Sequence, residues 1–251
     1  MTPFKALFWP TLAATPVLVL GLWLGLWQLE RKVEKDTLVE AVSMRALGRA
    51  TTIPAPGAWA LLDPDLIDFQ KVSVEGRFRD GPEFRLYVAL SDAKGSLRGP
   101  GWFIYQPFDL AFGGTVLVNR GFVPDHQREV SSRPATARPT DGVQRIEGLV
   151  RRAERVGPFA ANDDPVRNQW FTRNATKMAA SAGLAGVASF TLEQSTPNPG
   201  GLPQAGETRL VFPNRHLEYA ITWFGLSATL VGVWGVFVWR RLKLAVARPD
   251  R

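Results

Sequence analysis

The sequence predicts a membrane protein in which two transmembrane α-helices flank a mainly β extracytoplasmic domain, a small barrel or sandwich carrying one helix. Three observations carry this. Residues 6–27 and 219–239 hold no charged side chain, and at about 1.5 Å per residue each is long enough to cross roughly 30 Å of hydrocarbon. Between them, short segments alternate apolar and polar residues and are separated by Gly and Pro, the pattern of half-buried strands. The charge is also unevenly placed. Lys and Arg outnumber Asp and Glu by only 24 to 21 between residues 28 and 215, whereas the tail 240–251 has five basic residues against Asp250. Much of the net +7 thus lies beside a span, which favours a topology signal over a nucleic-acid surface.

Taken in order, residues 6–27 form the first span. Pro10 and Pro16 fall inside it, and membrane helices tolerate proline better than soluble ones. A cleaved signal peptide is the competing reading. The apolar run is longer than a usual signal core, and it exits into Trp27-Gln-Leu-Glu-Arg-Lys without a small-x-small cleavage pattern. Residues 28–53 continue as an amphipathic juxtamembrane helix, with Leu29, Val33, Leu38, Val42 and Leu47 roughly on one side, until Pro54, Pro56 and Gly57 end it.

The domain spans 54–196. Strands are expected at Val72–Arg79, Phe84–Leu90, Trp102–Phe108, Thr115–Val123, Val143–Val150 and Ser189–Gln194, with a turn at Gly113-Gly114. A helix fits Ala175–Gly183 with Asn174 as its N-cap. Residues 197–212 read as a linker, since 197–206 hold three prolines and three glycines. The second span follows over 216–239, then the basic tail 240–251. Because Arg240, Arg241, Lys243, Arg248 and Arg251 follow the second span, the C-terminus is expected in the cytoplasm. Two spans then put the N-terminus on the same side and the domain outside.

The chain has no cysteine, which excludes disulfides, covalent haem attachment through Cys-x-x-Cys-His, thiolate zinc and dithiol redox chemistry. Three scattered methionines argue against copper carriage. No Gly-x-Gly-x-x-Gly, P-loop, His-Glu-x-x-His or Gly-x-Ser-x-Gly pattern occurs, so no enzyme is expected.

Of two histidines, His216 stands at the mouth of the second span. On a helix, Tyr219, Ala220, Trp223 and Ser227 share its face. Such a face could hold a flat apolar ring system with the imidazole as an axial iron ligand, but on the residues alone an ordinary interfacial aromatic belt is the favoured reading. The other histidine, His126 beside Asp125, reads as a loop residue without a role. Arg120, in Asn119-Arg-Gly-Phe-Val-Pro, has two readings, a grip on a carboxylate such as a haem propionate or pairing inside the domain. Arg151, Arg152 and Arg155 read as a solvated face, although they would also suit an acidic partner. Small residues at Gly21 and Gly25, Gly225 and Thr229, and Ala228 and Gly232 suit close packing, either of the two spans together or against a foreign helix.

Six fragments in order resemble the Surfeit locus protein 1 family, and they cover nearly the whole chain. They are Gly25-Leu-Trp-Gln-Leu-Glu-Arg, Val74-Glu-Gly-Arg-Phe, Pro107-Phe, Val116-Leu-Val-Asn-Arg-Gly-Phe-Val-Pro124, Gln169-Trp-Phe and Pro213-Asn-Arg-His-Leu-Glu-Tyr-Ala-Ile-Thr-Trp-Phe224. Phe122 stands where the family often has Trp, and Arg215 where it often has a second Asn. The resemblance implies an assembly factor for haem-copper cytochrome c oxidase that binds haem a through His216 and aids its insertion into subunit I. Tyr219 and Trp223 would flank the ring. Expected partners are cytochrome c oxidase subunit I, haem a synthase and membrane lipid, with no nucleic acid. The alternative is a haem-independent membrane scaffold that stabilises an oxidase subunit I intermediate. The apolar span begins almost at Met1, where a transit peptide would otherwise stand. The expectation is therefore a bacterial cytoplasmic (inner) membrane protein, with its domain in the periplasm.

Overall fold

The computed structural model describes residues 3–158, 160–210 and 214–246. Residues 211–212 of the expected linker, Pro213 and the tail beyond Val246 lie outside the described residues. The chain divides into two compact units, Met1–Ala41 with Val211–Arg251, and Val42–Leu210.

In chain order the elements are α1 (Pro3–Leu47), the single turn α2 (Pro64–Ile67), strands β1 (Lys71–Phe78), β2 (Phe84–Leu90), β3 (Gly99–Leu110), β4 (Thr115–Pro124), β5 (Gln144–Arg151) and β6 (Gln169–Trp170), helix α3 (Ala175–Ser181), strand β7 (Val187–Gln194) and α4 (His216–Val246). Every strand expected from alternation is present. The additional one, β6, is two residues long, too short for any period to show.

In the first unit, both helices are long and apolar enough to cross a membrane. The first span and the segment that follows it form one continuous helix of 45 residues, about 68 Å at 1.5 Å per residue, which ends at Leu47, six residues before the expected boundary, with Val33, Leu38 and Leu47 exposed. Pro10 and Pro16 lie inside it. The hydroxyls of Thr11 and Thr15 donate to the carbonyls of Leu7 and Thr11 at 2.8 Å, so these polar side chains are satisfied by their own helix.

The positions of α1 that are shielded or partly shielded include Thr11, Ala14, Leu18, Gly21, Gly25 and Gln28; on α4 they include His216, Ala220, Trp223, Ser227, Leu230 and Trp234. Steps alternating between three and four residues are the seam of two antiparallel helices packed side by side. A Cβ on Gly21 would lie 2.4 Å from Ser227 Oγ, and one on Gly25 would lie 2.6 Å from the Phe224 ring. The first small-residue pair therefore serves the packing of the two spans on each other. Gly225 and Gly232 have open space around them. Val17, Leu20, Trp23, Leu26, Ile221, Leu226 and Val233 are exposed on the outer faces, as lipid-facing residues are.

The second unit is a closed five-stranded barrel, β1-β5-β7-β4-β3 and back to β1, extended beyond β3 by β2 and β6. Strand β3 belongs to both parts. Its first half pairs with β2 and its last residues pair with β1, with an irregularity between Phe103 and Tyr105. Gly76, at the β1–β3 closure, has no room for a side chain, since a Cβ there would fall 2.2 Å from the Asp109 carbonyl.

Strand β4 is buried on both faces, which explains its nearly unbroken apolar run. Val116 and Val118 join the barrel core with Val72, Val74, Phe108, Ile146 and Phe190. Leu117 points the other way, into a second cluster with Phe84, Tyr105, Trp170 and Met178 of α3. Helix α3 starts where the sequence places it: the Asn174 side chain accepts from the Lys177 amide at 3.0 Å.

Residues 197–206, linker-like in composition, are stitched to this unit. Gln204 exchanges backbone hydrogen bonds of 2.8 Å with Phe122. Asn198 donates to the carbonyls of Arg120 and Pro203. Just beyond, Glu207 accepts from the amides of Lys94 and Gly95 at 2.8 Å.

Candidate functional site

His216 is the first residue of α4, and its amide donates to the side chain of Asn214 at 3.3 Å. Asn214 in turn donates to Asp36 on α1 at 2.7 Å, and Asp36 is ion-paired with Lys32. The imidazole itself is half-buried. Its Nδ1 lies 2.7 Å from Oε1 of Gln28, one seam step beyond Gly25 on α1. Nε2 has no hydrogen-bond partner among the described residues.

The four residues singled out from the sequence are not all brought together. Trp223 lies partly shielded in the helix seam, next to the fully buried positions Ala220 and Ser227. Tyr219, expected on the same face, stands outside the seam and is 54% exposed. Its ring is therefore available beside His216 rather than consumed by packing against α1. The helical face is divided between a packed strip and an open flank.

Arg120 belongs to the other unit and is 1% exposed, in the interior of that unit. Its guanidinium makes long hydrogen bonds to Gln106 (3.5 Å) and Asn198 (3.4 Å) and lies over the Phe78 ring at 5.2 Å. Its Nε has no partner among the described residues. Burial draws its pKa down to about 10, partly offset by the charge of Glu83. Its neighbour Gly121 has φ +132°, and a Cβ there would meet the Gln204 carbonyl at 2.2 Å. The Asn119-Arg-Gly stretch thus joins the 198–204 segment to the end of β4.

Beside it the domain hides a polar cluster that the sequence did not announce. Glu193 accepts from the Tyr105 hydroxyl at 2.8 Å, from Asn119 Nδ2 at 2.5 Å and from the Thr191 hydroxyl at 3.2 Å. Burial first, then the Glu193 charge, pushes the Tyr105 phenol well above its ordinary pKa. All four residues are buried, so the cluster serves the fold.

The remaining candidates resolve simply. His126 is exposed, and Asp125 accepts from the Trp102 indole at 2.8 Å, so no acid–base pair forms there. Arg151, Arg152 and Arg155 pair with Asp65 and Asp68 at 2.8–3.1 Å. Among the described residues no group of three or more His, Asp or Glu side chains is placed to hold a bare metal ion.

Gln28 was not singled out from the sequence. The signal that would have found it is the spacing Gly21, Gly25, Gln28, which continues the small-residue face of α1 by one step.

Two paired membrane-length helices with a ligand-capable imidazole at one end, carrying a small closed β-barrel, define a class of membrane-anchored barrel proteins. Comparison with known proteins narrows the class. The model of the SURF1 family matches residues 15–228, from within α1 to within α4. The SURF1-like protein of Monosiga brevicollis is 31% identical over 245 residues, covering 94% of this chain and 88% of that protein. Surfeit locus protein 1 of Homo sapiens is 30% identical over 230 residues, covering 87% and 73%, and that of Xenopus tropicalis is 30% identical, covering 84% and 70%. The chain belongs to the SURF1 family.

Proposed function

We propose that this protein is an assembly factor for haem-copper cytochrome c oxidase that binds haem a at His216 and aids its insertion into subunit I. The observation that carries the reading is the state of His216: one ring nitrogen held by Gln28, the other without a partner among the described residues, at the end of a helix pair with outward apolar faces. The donor set fits the cargo. A bare zinc ion needs about four protein ligands, and no such cluster exists among the described residues. A porphyrin brings four nitrogens of its own, so a single imidazole suffices to hold its iron at one axial position.

The exposed ring of Tyr219 and the half-shielded indole of Trp223 would lie against the macrocycle. Haem a would reach the site from its synthase within the lipid phase, which spares an apolar molecule a passage through water. Arg120 has no part in this reading, because its guanidinium is enclosed in the other unit. The basic residues after Trp239 support cytoplasmic termini, and hence a barrel on the far side of a bacterial inner membrane, where it would dock the nascent subunit I.

The test is an absorption spectrum of the purified protein after coexpression with haem a synthesis enzymes, with pyridine extraction to identify the haem. The protein should carry haem a, and His216→Ala should lose it while remaining folded. A protein that co-isolates with subunit I but never carries a chromophore would instead be a haem-independent scaffold.

A further inference from the structure

The two stretches that frame His216 come from opposite ends of the chain, and a single side-chain contact links them at the imidazole. Gln28 and His216 are 188 residues apart, yet Gln28 Oε1 and His216 Nδ1 are 2.7 Å apart. An amide oxygen has lone pairs and no proton, so it can only accept. The hydrogen between the two atoms must then sit on Nδ1, and a neutral imidazole with its proton there keeps its lone pair on Nε2. Which ring nitrogen is available to a ligand is decided by what holds the other one.

The contact is also geometrically supported from both sides. One step along the seam, Gly25 sits against the Phe224 ring, and Gly21 sits against Ser227, so α1 and α4 approach closely enough for the Gln28 side chain to reach the ring. On the other side, Asn214 ties the start of α4 to Asp36 of α1. These contacts hold the two helices together on either side of the imidazole.

We propose that Gln28 is the positioning residue of His216: its side-chain oxygen fixes the Nδ1–H tautomer, so that Nε2 is presented as the ligand atom. The proposal rests on the haem-binding reading for its purpose but not for its test. The choice of amide over carboxylate has a consequence. A carboxylate behind a ligating imidazole raises the basicity of the ligand nitrogen, whereas an amide orients the ring with a weaker push. A neutral acceptor therefore suits a site that must release its cargo, and Gln28→Glu should hold haem more tightly than the native side chain. Gln28→Leu, which keeps the bulk and removes the acceptor, should weaken haem binding by about 10- to 100-fold, the usual effect of losing an outer-shell partner.

The deciding experiment needs no haem. Full-length, haem-free protein labelled with ¹⁵N-histidine, held in lipid nanodiscs at alkaline pH, is read by two-bond ¹H–¹⁵N correlation of the ring nitrogens. His126→Gln assigns the two histidines. His216 should show a protonated Nδ1 in the native protein and in Gln28→Glu, and should shift toward a protonated Nε2 in Gln28→Leu, with helix content unchanged. A native His216 protonated on Nε2 would mean that the amide turns its NH₂ to the ring, and would overturn the proposal. So would a Gln28→Leu variant whose tautomer does not move. Because the tautomer is read without haem, failure of haem binding at His216 leaves the tautomer result intact, and the two claims fall separately.

Discussion

Inside the barrel, Glu193 receives hydrogen bonds from Tyr105, Asn119 and Thr191 and is sealed from solvent. At the end of the helix pair, half-buried His216 has one contact at Nδ1, and its Nε2 has no hydrogen-bond partner among the described residues. Both are ionisable groups placed by side chains distant in sequence. A buried carboxylate with its partners in place is a structural device, since it has nothing left to offer a ligand. An imidazole pinned on one side only is a presented group. The same contrast separates Arg120 from His216. The first is turned inward, and the second keeps one ring nitrogen without a hydrogen-bond partner among the described residues.

That contrast can be broken at either end. The largest effect is expected from Glu193→Ala, which leaves the Tyr105 hydroxyl and the Asn119 amide buried without their acceptor. Denaturant titration of the barrel, followed by tryptophan fluorescence, should show a loss of about 3 kcal/mol. Haem content per folded molecule should be unaffected. A matching loss of haem would mean that the cluster is part of the site.

Gly25→Leu attacks the other region. The new side chain must occupy the place of the Phe224 ring, and overpacking of this kind costs about 1–3 kcal/mol. The native chain has no cysteine. Cysteines introduced at Leu18 and Leu230, which line one groove between the helices, should therefore crosslink in the native background and poorly in Gly25→Leu. The barrel's denaturation midpoint should not move.

The smallest effect concerns acid. Burial alone would raise the pKa of Asp109, but hydrogen bonds from Arg79 and Thr115, and the charges of Arg79 and Arg77, bring it below its ordinary value. A carboxyl lowered in the folded state adds stability above its unfolded value near 4, and loses that contribution as pH falls below it. Asp109→Asn should flatten the stability profile of the barrel below about pH 4, and remove about 1 kcal/mol or less at neutral pH, because the pair is partly exposed. No comparable acid sensitivity is expected from Asp109 in the helix crosslinking assay.

How much of this was legible beforehand differs between the regions for a physical reason. Strands such as β1 and β5 bury alternate residues, so a period of two exposes them in the sequence. Strand β4 is buried on both faces, and its apolar run still marks it as a strand. The α3 cap was readable because Asn174 bonds its own helix three residues on. Strand β6 escaped because two residues carry no pattern. The 197–206 stretch reads as a linker because Pro and Gly report local backbone shape. What holds it, Asn198, Gln204 and Glu207, acts on residues up to 113 positions away.

The site divides in the same way. His216 was conspicuous as one of two histidines at the end of a charge-free span. Its partner Gln28 was not, because a glutamine at the end of a span is ordinary until the opposite helix is in place. The helical period correctly grouped Ala220, Trp223 and Ser227, but it could not say that Tyr219 would fall outside the seam. That depends on where α1 lies, which periodicity within α4 does not contain.

Under the proposed function, His216 presents a ligand atom to the iron of haem a. Its most direct measurement is the haem a content, by pyridine extraction, of native and His216→Ala protein purified after coexpression with haem a synthesis enzymes. Near-stoichiometric haem in the native protein, and its loss from a His216→Ala variant of unchanged barrel stability, is the result expected. Equal haem in both proteins, or none in either, would contradict the claim.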